Sequence, residues 1–491
     1  MTGNGAEGRF RERRAVVTGL GAVTAAGPGA DALWEAAVAG RSVVTELSGV
    51  DSAGAPYAEL PVRIGGRIRG FDAGSLRPEL PSGLARRLSD VQLWGIAAAD
   101  EALRQALRQL TNDPEDANRA PALPWDPARV AVIAATGSGP IQAMQEATRA
   151  LDARGSRAVP LALSVYGAPD AAAAILSQRY GIEGPAQGLN ATCASGAIAL
   201  GEGLRRIRHG YADAVLVVGM EDCLGAVNLA SNANLRALAA GYEGDPAAAS
   251  RPFDRARAGF VMSQGAAAIL LESEDAARAR GAEALAVLAG FGASSDAHHA
   301  TAPHPEGRGA ARAVRECLAD AGLGSGFAHG VGHGIGSGSR AEAFPDDVEG
   351  PALGASFGDG AEDDALIAAE FVDHINAHGT GTQAGDAAEL RALTAALGDR
   401  AREIPITATK SSTGHLLGAA GIAEAILAIR TLRERLLPPT INLQDPEFPG
   451  WDFVTETARP ATIETVLSTS FGFGGHNGAV LFTRATEEET E

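Results

Sequence analysis

The chain has 491 residues, enough for two or three hydrophobic cores or one large duplicated one. Its formal charge of -19 argues against a nucleic-acid or anionic-membrane partner, and no run approaches the ~18 apolar residues of a membrane span. Three cysteines, Cys193, Cys223 and Cys317, provide no disulfide framework and suit a reducing, cytoplasmic setting.

Residues 1–14 read as a polar, flexible lead. Arg9, Arg11, Arg13 and Arg14 precede an apolar stretch and superficially resemble an export signal, but Thr18, Gly19, Gly21 and Thr24 interrupt it. A first strand followed by a glycine turn fits residues 15–21 better. Gly19-Leu20-Gly21 does not make a dinucleotide fingerprint, because Thr24 stands where the third glycine would fall and no acidic residue lies near Arg41. Residues 31–40 are a capped helix, residues 48–82 a Gly- and Pro-rich surface excursion, and residues 89–110 a helix with Trp94, Ile96, Leu103 and Leu107 inward. After a polar loop at 111–128, residues 130–134 form a buried strand ending at Thr136-Gly137-Ser138-Gly139, and residues 168–180 a helix.

Cys193 then stands among small residues in Gly188-Leu189-Asn190-Ala191-Thr192-Cys193-Ala194-Ser195-Gly196, before a helical apolar pattern of Ala197, Ile198, Leu200, Leu204 and Ile207. A helix N-terminus favours negative charge, so this placement is expected to lower the thiol pKa and make Cys193 a nucleophile. A buried structural cysteine is the alternative. Further strands are expected at 212–219 and 266–272, and the strand–helix alternation predicts a mostly parallel sheet.

The second half echoes the first. Residues 284–292 repeat the opening strand with its Gly-x-Gly, 371–380 repeat the Val130 strand, 404–415 repeat the Cys193 unit, and 465–471 repeat the strand at 212–219. Two similar α/β halves would bring equivalent strand–helix junctions to one centre, where sites of open α/β sheets form. Between the halves, residues 321–362 are rich in Gly, His and acid. His329 and His333 lack a full ligand set, so a mobile linker is the reading there. His374 and His378 have metal-like i, i+4 spacing but no carboxylate to join them, so no metal is expected.

Three Gly-rich stretches carry the remaining chemistry: Asn376-Ala377-His378-Gly379-Thr380-Gly381-Thr382, Lys410-Ser411-Ser412-Thr413-Gly414-His415 with Glu424 on the helix beyond, and Phe471-Gly472-Phe473-Gly474-Gly475-His476-Asn477. Together with the Cys193 stretch, Asp386, and Arg251-Pro252-Phe253-Asp254, they resemble the β-ketoacyl synthase family, in its elongating Cys-His-His branch, from about Arg14 to Arg484. The resemblance implies a thiolase-like α/β fold of two duplicated halves, at 15–280 and 281–491, stacked as five α-β-α-β-α layers. It implies that Cys193 takes an acyl chain from a phosphopantetheine thioester on an acyl carrier protein. A malonyl-carrier thioester then decarboxylates and condenses with that chain, in fatty-acid or polyketide and polyene assembly.

By the same resemblance His378 and His415 stabilise the enolate as neutral donors, Lys410 orients and tunes them, and Glu424 supports. The backbone N–H groups of Cys193 and Phe473 form the oxyanion hole, Thr380 and Thr382 hold the pantetheine arm, and Phe471 and Phe473 gate the nucleophile. No metal, nucleotide or flavin cofactor is called for. The partners implied are the carrier protein and either an identical chain or a chain-length factor. Arg205, Arg206 and Arg208 are candidates for the carrier dock. The competing class is a non-catalytic chain-length-factor-like subunit, which would lack the nucleophile. Departures from the family pattern are Ala258 in place of an acid, Met262-Ser263-Gln264-Gly265 in place of Gly-Glu-Gly, and a longer 321–362 insertion. Ser231-Asn232-Ala233-Asn234 is polar where relatives that elongate plain fatty chains often carry apolar residues.

Overall fold

A computed structural model describes residues 13–51, 54–72, 80, 88–108, 120–161, 163–323 and 369–485. Most of the N-terminal lead and of the insertion, including His329 and His333, lies outside the described residues.

Ten strands build the frame: β1 (Ala15–Thr24), β2 (Val130–Ala135), β3 (Ala186–Leu189), β4 (Ala214–Glu221), β5 (Gly265–Ser273), β6 (Ala286–Ser295), β7 (His374–Asn376), β8 (Ile406–Thr407), β9 (Thr465–Gly472) and β10 (His476–Thr483). The helices that matter are α1 (Ala30–Val38), α2 (Asp90–Leu107), α3 (Ile141–Arg154), α4 (Ala171–Tyr180), α5 (Ser195–Arg208), α6 (Ala226–Asn234), α7 (Arg308–Asp320), α8 (Gln383–Leu397), α9 (Lys410–Thr413) and α10 (Ala420–Glu434). The strands run in the order β8-β7-β9-β10-β6-β1-β5-β4-β2-β3. Cut between β6 and β1, this is one five-strand pattern used twice: β1, β5, β4, β2, β3 match β6, β10, β9, β7, β8 in order. Directions match as well. β2 is parallel to β3 and β4, and β7 is parallel to β8 and β9, while β5 and β10 run antiparallel to both their neighbours. A short antiparallel pairing of Ala15–Val17 with Ala286–Leu288 joins the two.

The expected mostly parallel sheet is therefore corrected to a mixed one. β9 and β10 are linked only by the turn Phe473–Gly475, and so short a link permits only antiparallel pairing.

Strand side chains alternate between two cores. Along β4, Val215 and Val217 face a central core with α5 and α10, while Ala214, Leu216 and Val218 face an outer core with α2 and α4. Along β10, Val480 and Phe482 join the same central core, while Ala479 and Leu481 face α7 and α8. The stack is thus helices, sheet, helices, sheet, helices, the five layers of the thiolase fold.

The glycines of the first strand lie within it and do not form a turn. A Cβ on Gly19 or Gly21 would lie 2.0 Å from the Ala102 or Ala98 carbonyl oxygen, so their absence of side chain seats α2 directly on β1. Gly290 and Gly292 seat α7 on β6 in the same way, 2.3 and 2.0 Å from the Cys317 and Ala313 carbonyls. The expected helical cap near Asp31 is absent: the residue before α1 is Gly29, with no side-chain cap. The 48–82 excursion is also anchored more firmly than its composition suggests. Thr45–Glu46 pairs with Ile64–Gly65, and Tyr57 is buried with its hydroxyl donating to the Leu224 carbonyl at 3.0 Å. Its apolar residues Tyr57, Val62 and Ile64, with Leu47 just before it, pack with Leu224, Leu229 and Met262.

Gly21→Ala should lower unfolding stability by about 3 kcal/mol, because a backbone carbonyl occupies the space a methyl needs. Chemical denaturation checks this, and a loss below ~0.5 kcal/mol would contradict the packing account.

Candidate active site

Cys193 lies in the turn Thr192–Ala194, between β3 and the first residue of α5. Thr192 holds a left-handed φ of 50°, which costs energy in a β-branched residue. Its surroundings enforce this: Thr192 Oγ1 lies 2.8 Å from the Phe473 carbonyl, and Ser195 Oγ accepts from Ala191 N at 2.8 Å and donates to the Thr192 carbonyl at 2.6 Å. A Cβ on Gly472 would lie 2.2 Å from Thr192 Oγ1 and 3.0 Å from Cys193 N, so glycine lets the β9 end close on Cys193. The backbone N–H groups of Phe473 and Cys193 both approach the sulfur.

The expectation of a lowered thiol pKa is corrected. Burial pushes Cys193 up to about 12, against the Lys410 charge and the two backbone N–H groups, with Glu221 adding to the rise. The sulfur sits in a buried turn ahead of the helix, where desolvation outweighs the dipole.

The β7 end carries His378. Its backbone N donates to Glu389 Oε1 at 2.7 Å and Thr469 Oγ1 at 3.0 Å, and Gly379 N donates to Glu389 Oε2 at 2.8 Å. Lys410, 1 % exposed, opens α9 and aims its ammonium at three acceptors: the His378 carbonyl at 2.7 Å, His378 Nδ1 at 3.3 Å and Glu424 of α10 in an ion pair. An ammonium only donates, so His378 Nδ1 accepts and Nε2 carries the proton. His415 is held through its backbone, donating to Val261 O at 2.7 Å and accepting from Ser263 N at 3.0 Å. Both its ring nitrogens are buried without a hydrogen-bond partner among the described residues.

The two imidazoles meet edge to face, with centroids 5.5 Å apart. Phe471 lies 5.9 Å from the His378 ring; Phe260 bridges His415 to Phe473 at 5.5 and 6.3 Å. Burial, then the Lys410 charge, holds both histidines well below the usual pKa of 6.5, with His415 adding to the effect on His378. Both rings are neutral N–H donors at pH 7.

Thr380 and Thr382 face each other at 3.1 Å, and Thr382 caps α8 by accepting from Gly385 N. Asp386 fixes their loop, accepting from Gly381 N at 3.1 Å and Phe253 N at 2.7 Å beside Arg257. Three residues that the sequence reading left out belong to the site's frame: Glu389, Thr469 and Glu221. Glu389 follows Asp386 by three residues, the spacing of one helix face. Glu221 ends β4 and accepts from Gly137 N at 2.6 Å and Gly418 N at 3.1 Å, tying the loops on either side of Cys193 together. Ala258 is exposed, next to Gly259, whose N donates to the Gly381 carbonyl at 3.0 Å. The candidate dock arginines lie at the far end of α5, about 20 Å from Cys193. Two of them are already paired, Arg205 with Glu202 and Arg208 with Asp320.

The chain is similar to known proteins over nearly its whole length. Family models for the N-terminal and C-terminal domains of β-ketoacyl synthases match residues 12–277, and 285–369 with 331–444. A 3-oxoacyl-(acyl-carrier-protein) synthase 2 of Synechocystis is 32 % identical over 97 % of this chain and 99 % of its own, and one from Coxiella burnetii is 33 % identical over 97 % and 99 %. Among solved structures, a type II polyketide synthase ketosynthase, in complex with its acyl-carrier protein and bound to the hexaketide, has a TM-score of 0.75 and 26 % identity. It covers 97 % of this chain and 100 % of that one. A β-ketoacyl synthase from Burkholderia phymatum has a TM-score of 0.75 and 28 % identity, over 96 % and 100 %. A buried thiol beside two neutral histidines, on a twice-used five-strand pattern that both domain models match, leaves one conclusion: the chain belongs to the β-ketoacyl synthase family.

Proposed function

We propose that the chain is a condensing β-ketoacyl-(acyl-carrier-protein) synthase acting in fatty-acid or type II polyketide assembly, and that Cys193, His378, His415 and Lys410 carry its chemistry. The observation that bears most weight is the pair of neutral imidazoles beside the Cys193–Phe473 turn, with the Lys410 ammonium behind them.

In this reading Cys193 attacks the acyl thioester of the carrier protein, its proton leaves with the departing pantetheine thiol, and an acyl-enzyme forms. The tetrahedral oxyanion is held by the N–H groups of Cys193 and Phe473. A malonyl thioester then enters past Phe471 and Phe473, its pantetheine arm against Thr380 and Thr382. Its C–C bond to the carboxylate breaks and carbon dioxide leaves. The enolate oxygen takes hydrogen bonds from His378 Nε2 and from the His415 ring, which donate without first losing a proton. The enolate carbon attacks the Cys193 thioester, the C–S bond breaks, and the 3-oxoacyl chain leaves on the carrier. Lys410 and Glu424 touch no reacting atom and act by positioning His378. The half at 15–280 supplies the nucleophile and the half at 281–491 both histidines.

The partner reading, a chain-length-factor-like subunit, is disfavoured by the intact thiol. A second chain, identical or such a factor, is proposed to cover the exposed edge strand β3 and the exposed Met144, Leu151, Leu161 and Val165 nearby. No helix among the described residues is long and apolar enough to cross a membrane, and a cytoplasmic site of action is proposed.

Intact-mass spectrometry with acyl-carrier protein should show an acyl adduct on the wild type and none on Cys193→Ala. Absence of an adduct from the folded wild type across acyl lengths would instead support the partner reading. His378→Ala and His415→Ala should still load the chain yet lose about 10²- to 10³-fold in malonyl decarboxylation. Equal loss of both steps would contradict the assigned roles. Because both histidine pKa values are depressed, protonation begins only below the ordinary range. The decarboxylation rate of the wild type should therefore show no acid limb near pH 6.5 between pH 8 and 6, and such a limb would contradict neutral donors.

A further inference from the structure

The turn that carries Cys193 has a counterpart in the second half. Thr192–Ala194 leads into α5, and Leu417–Ala419 leads into α10. Each turn opens on a residue with a left-handed φ, 50° at Thr192 and 45° at Leu417. Gly418 therefore stands where Cys193 stands, without a side chain. The strands that end against the two turns are counterparts as well. A Cβ on Gly472 of β9 would lie 3.0 Å from Cys193 N, and one on Gly219 of β4 would lie 2.9 Å from Ala419 Cα. The two strand ends differ in one respect: β9 ends on Gly472 and β4 on Glu221.

The Glu221 carboxylate accepts from Gly418 N at 3.1 Å, from Gly137 N at 2.6 Å and from Ser138 N at 3.2 Å, with Thr136 Oγ1 at 3.4 Å. Converging N–H groups make a pocket for an anion, and here the anion belongs to the chain itself. Glu221 is only 1 % exposed. The pocket adjoins Cys193. A Cβ on Gly137 would lie 3.0 Å from Glu221 Oε2 and 3.2 Å from the Thr192 carbonyl oxygen. Ser195 Oγ, bonded to that same Thr192 carbonyl, lies 3.1 Å from the Thr136 carbonyl oxygen.

A buried charge acts strongly on its neighbours because little solvent screens it. Around Cys193, Lys410 is cationic and paired with Glu424, and His378 and His415 are neutral. Glu221 supplies a negative charge from the β4 end. Burial raises the thiol most, Lys410 opposes the rise, and Glu221 adds to it. Burial also pushes the Glu221 carboxyl up to about 7, against its N–H donors.

We infer that Glu221 is a positioning residue for Cys193: its carboxylate fills the N–H pocket at the counterpart turn, holds the two loops that flank Cys193 together, and by its charge opposes ionisation of the thiol. This rests on the proposed function, in which Cys193 is the nucleophile, and names a further residue that acts on it. A thiol that keeps its proton until an acyl thioester arrives has that proton to give to the departing pantetheine thiol. It also resists electrophiles that come without a carrier.

The test is the rate at which iodoacetamide alkylates Cys193 between pH 6 and 9, read by intact mass on the full chain with Cys193→Ala as the blank. Glu221→Gln keeps the shape and removes the charge. Its rate should match the wild type near pH 6, where the wild-type carboxyl is largely protonated, and exceed it about tenfold by pH 9, the effect of one pK unit on the thiol. Glu221→Asp, which keeps the charge, should stay within about threefold of the wild type throughout. If glutamine does not fold, the wild-type profile decides. Its rate should rise by less than about tenfold per pH unit between pH 6.5 and 8, as Glu221 ionises, whereas a thiol with no such neighbour gives about tenfold throughout. A loop merely displaced would change the rate by one factor at every pH, so a pH-independent ratio overturns the inference, as does a wild-type slope of tenfold throughout. Acyl loading from the carrier is measured on the same preparations. Loading by the wild type with a flat alkylation ratio overturns this inference alone. The expected ratio without loading overturns the proposed function and leaves the effect of Glu221 on the thiol standing.

Discussion

The Lys410 ammonium is the constraint on which the site depends. Its three donors meet three acceptors, contributed by the end of β7 and by α10, and all of this is buried. Removing one partner would leave a desolvated charge uncompensated, a loss of about 3–5 kcal/mol in comparable buried pairs. The same cation fixes which nitrogen of His378 bears the proton. With burial, it keeps both histidines neutral, and it opposes the burial that raises the Cys193 thiol. One charge thus acts on Cys193, His378 and His415 together, although it lies behind the two imidazoles.

The duplicated topology explains how residues so distant in sequence meet. Cys193 follows β3 and Lys410 follows β8, its counterpart. His378 follows β7, whose counterpart β2 ends at the Thr136–Gly139 loop. Phe471 and Gly472 end β9, whose counterpart β4 ends at Glu221. The strand ends of both halves converge because α5 and α10 pack together between the sheets, in contact through glycine. A Cβ on Gly421 would lie 2.5 Å from Ala197 N, and one on Gly196 would lie 2.8 Å from Ile422 N. Carboxylates at the margins hold the loops: Glu389 under His378, Asp386 under the threonine loop, Glu221 across the two loops flanking the nucleophile.

Much of this is legible in the sequence because the residues proposed to react sit in glycine-rich strand ends whose order repeats. Cys193, His378, Lys410 and His415 all announce themselves by that setting, and the echo of four strand units foretold the paired halves. What the sequence hid was set by tertiary contact. The strand period gives no direction, so the antiparallel β5 and β10 were invisible in it. The glycines of β1 looked like a turn, because the carbonyls of α2 that exclude a side chain there lie some 80 residues away. Local sequence reports the helix dipole at Cys193 but not the burial that overrides it. Glu389 and Glu221 went unread because a lone acid in a helix or at a strand end looks like any solvated one until its backbone donors are known.

The most direct measurement is a crystal structure of the acylated protein bound to a stable malonyl-thioester analogue. The acyl carbonyl oxygen should lie within hydrogen-bond distance of Cys193 N and Phe473 N, and the analogue's thioester oxygen against His378 Nε2 and the His415 ring. Lys410 should remain on His378 Nδ1 and Glu424. An analogue oxygen held by Lys410 itself, or seated away from both histidines, would contradict it.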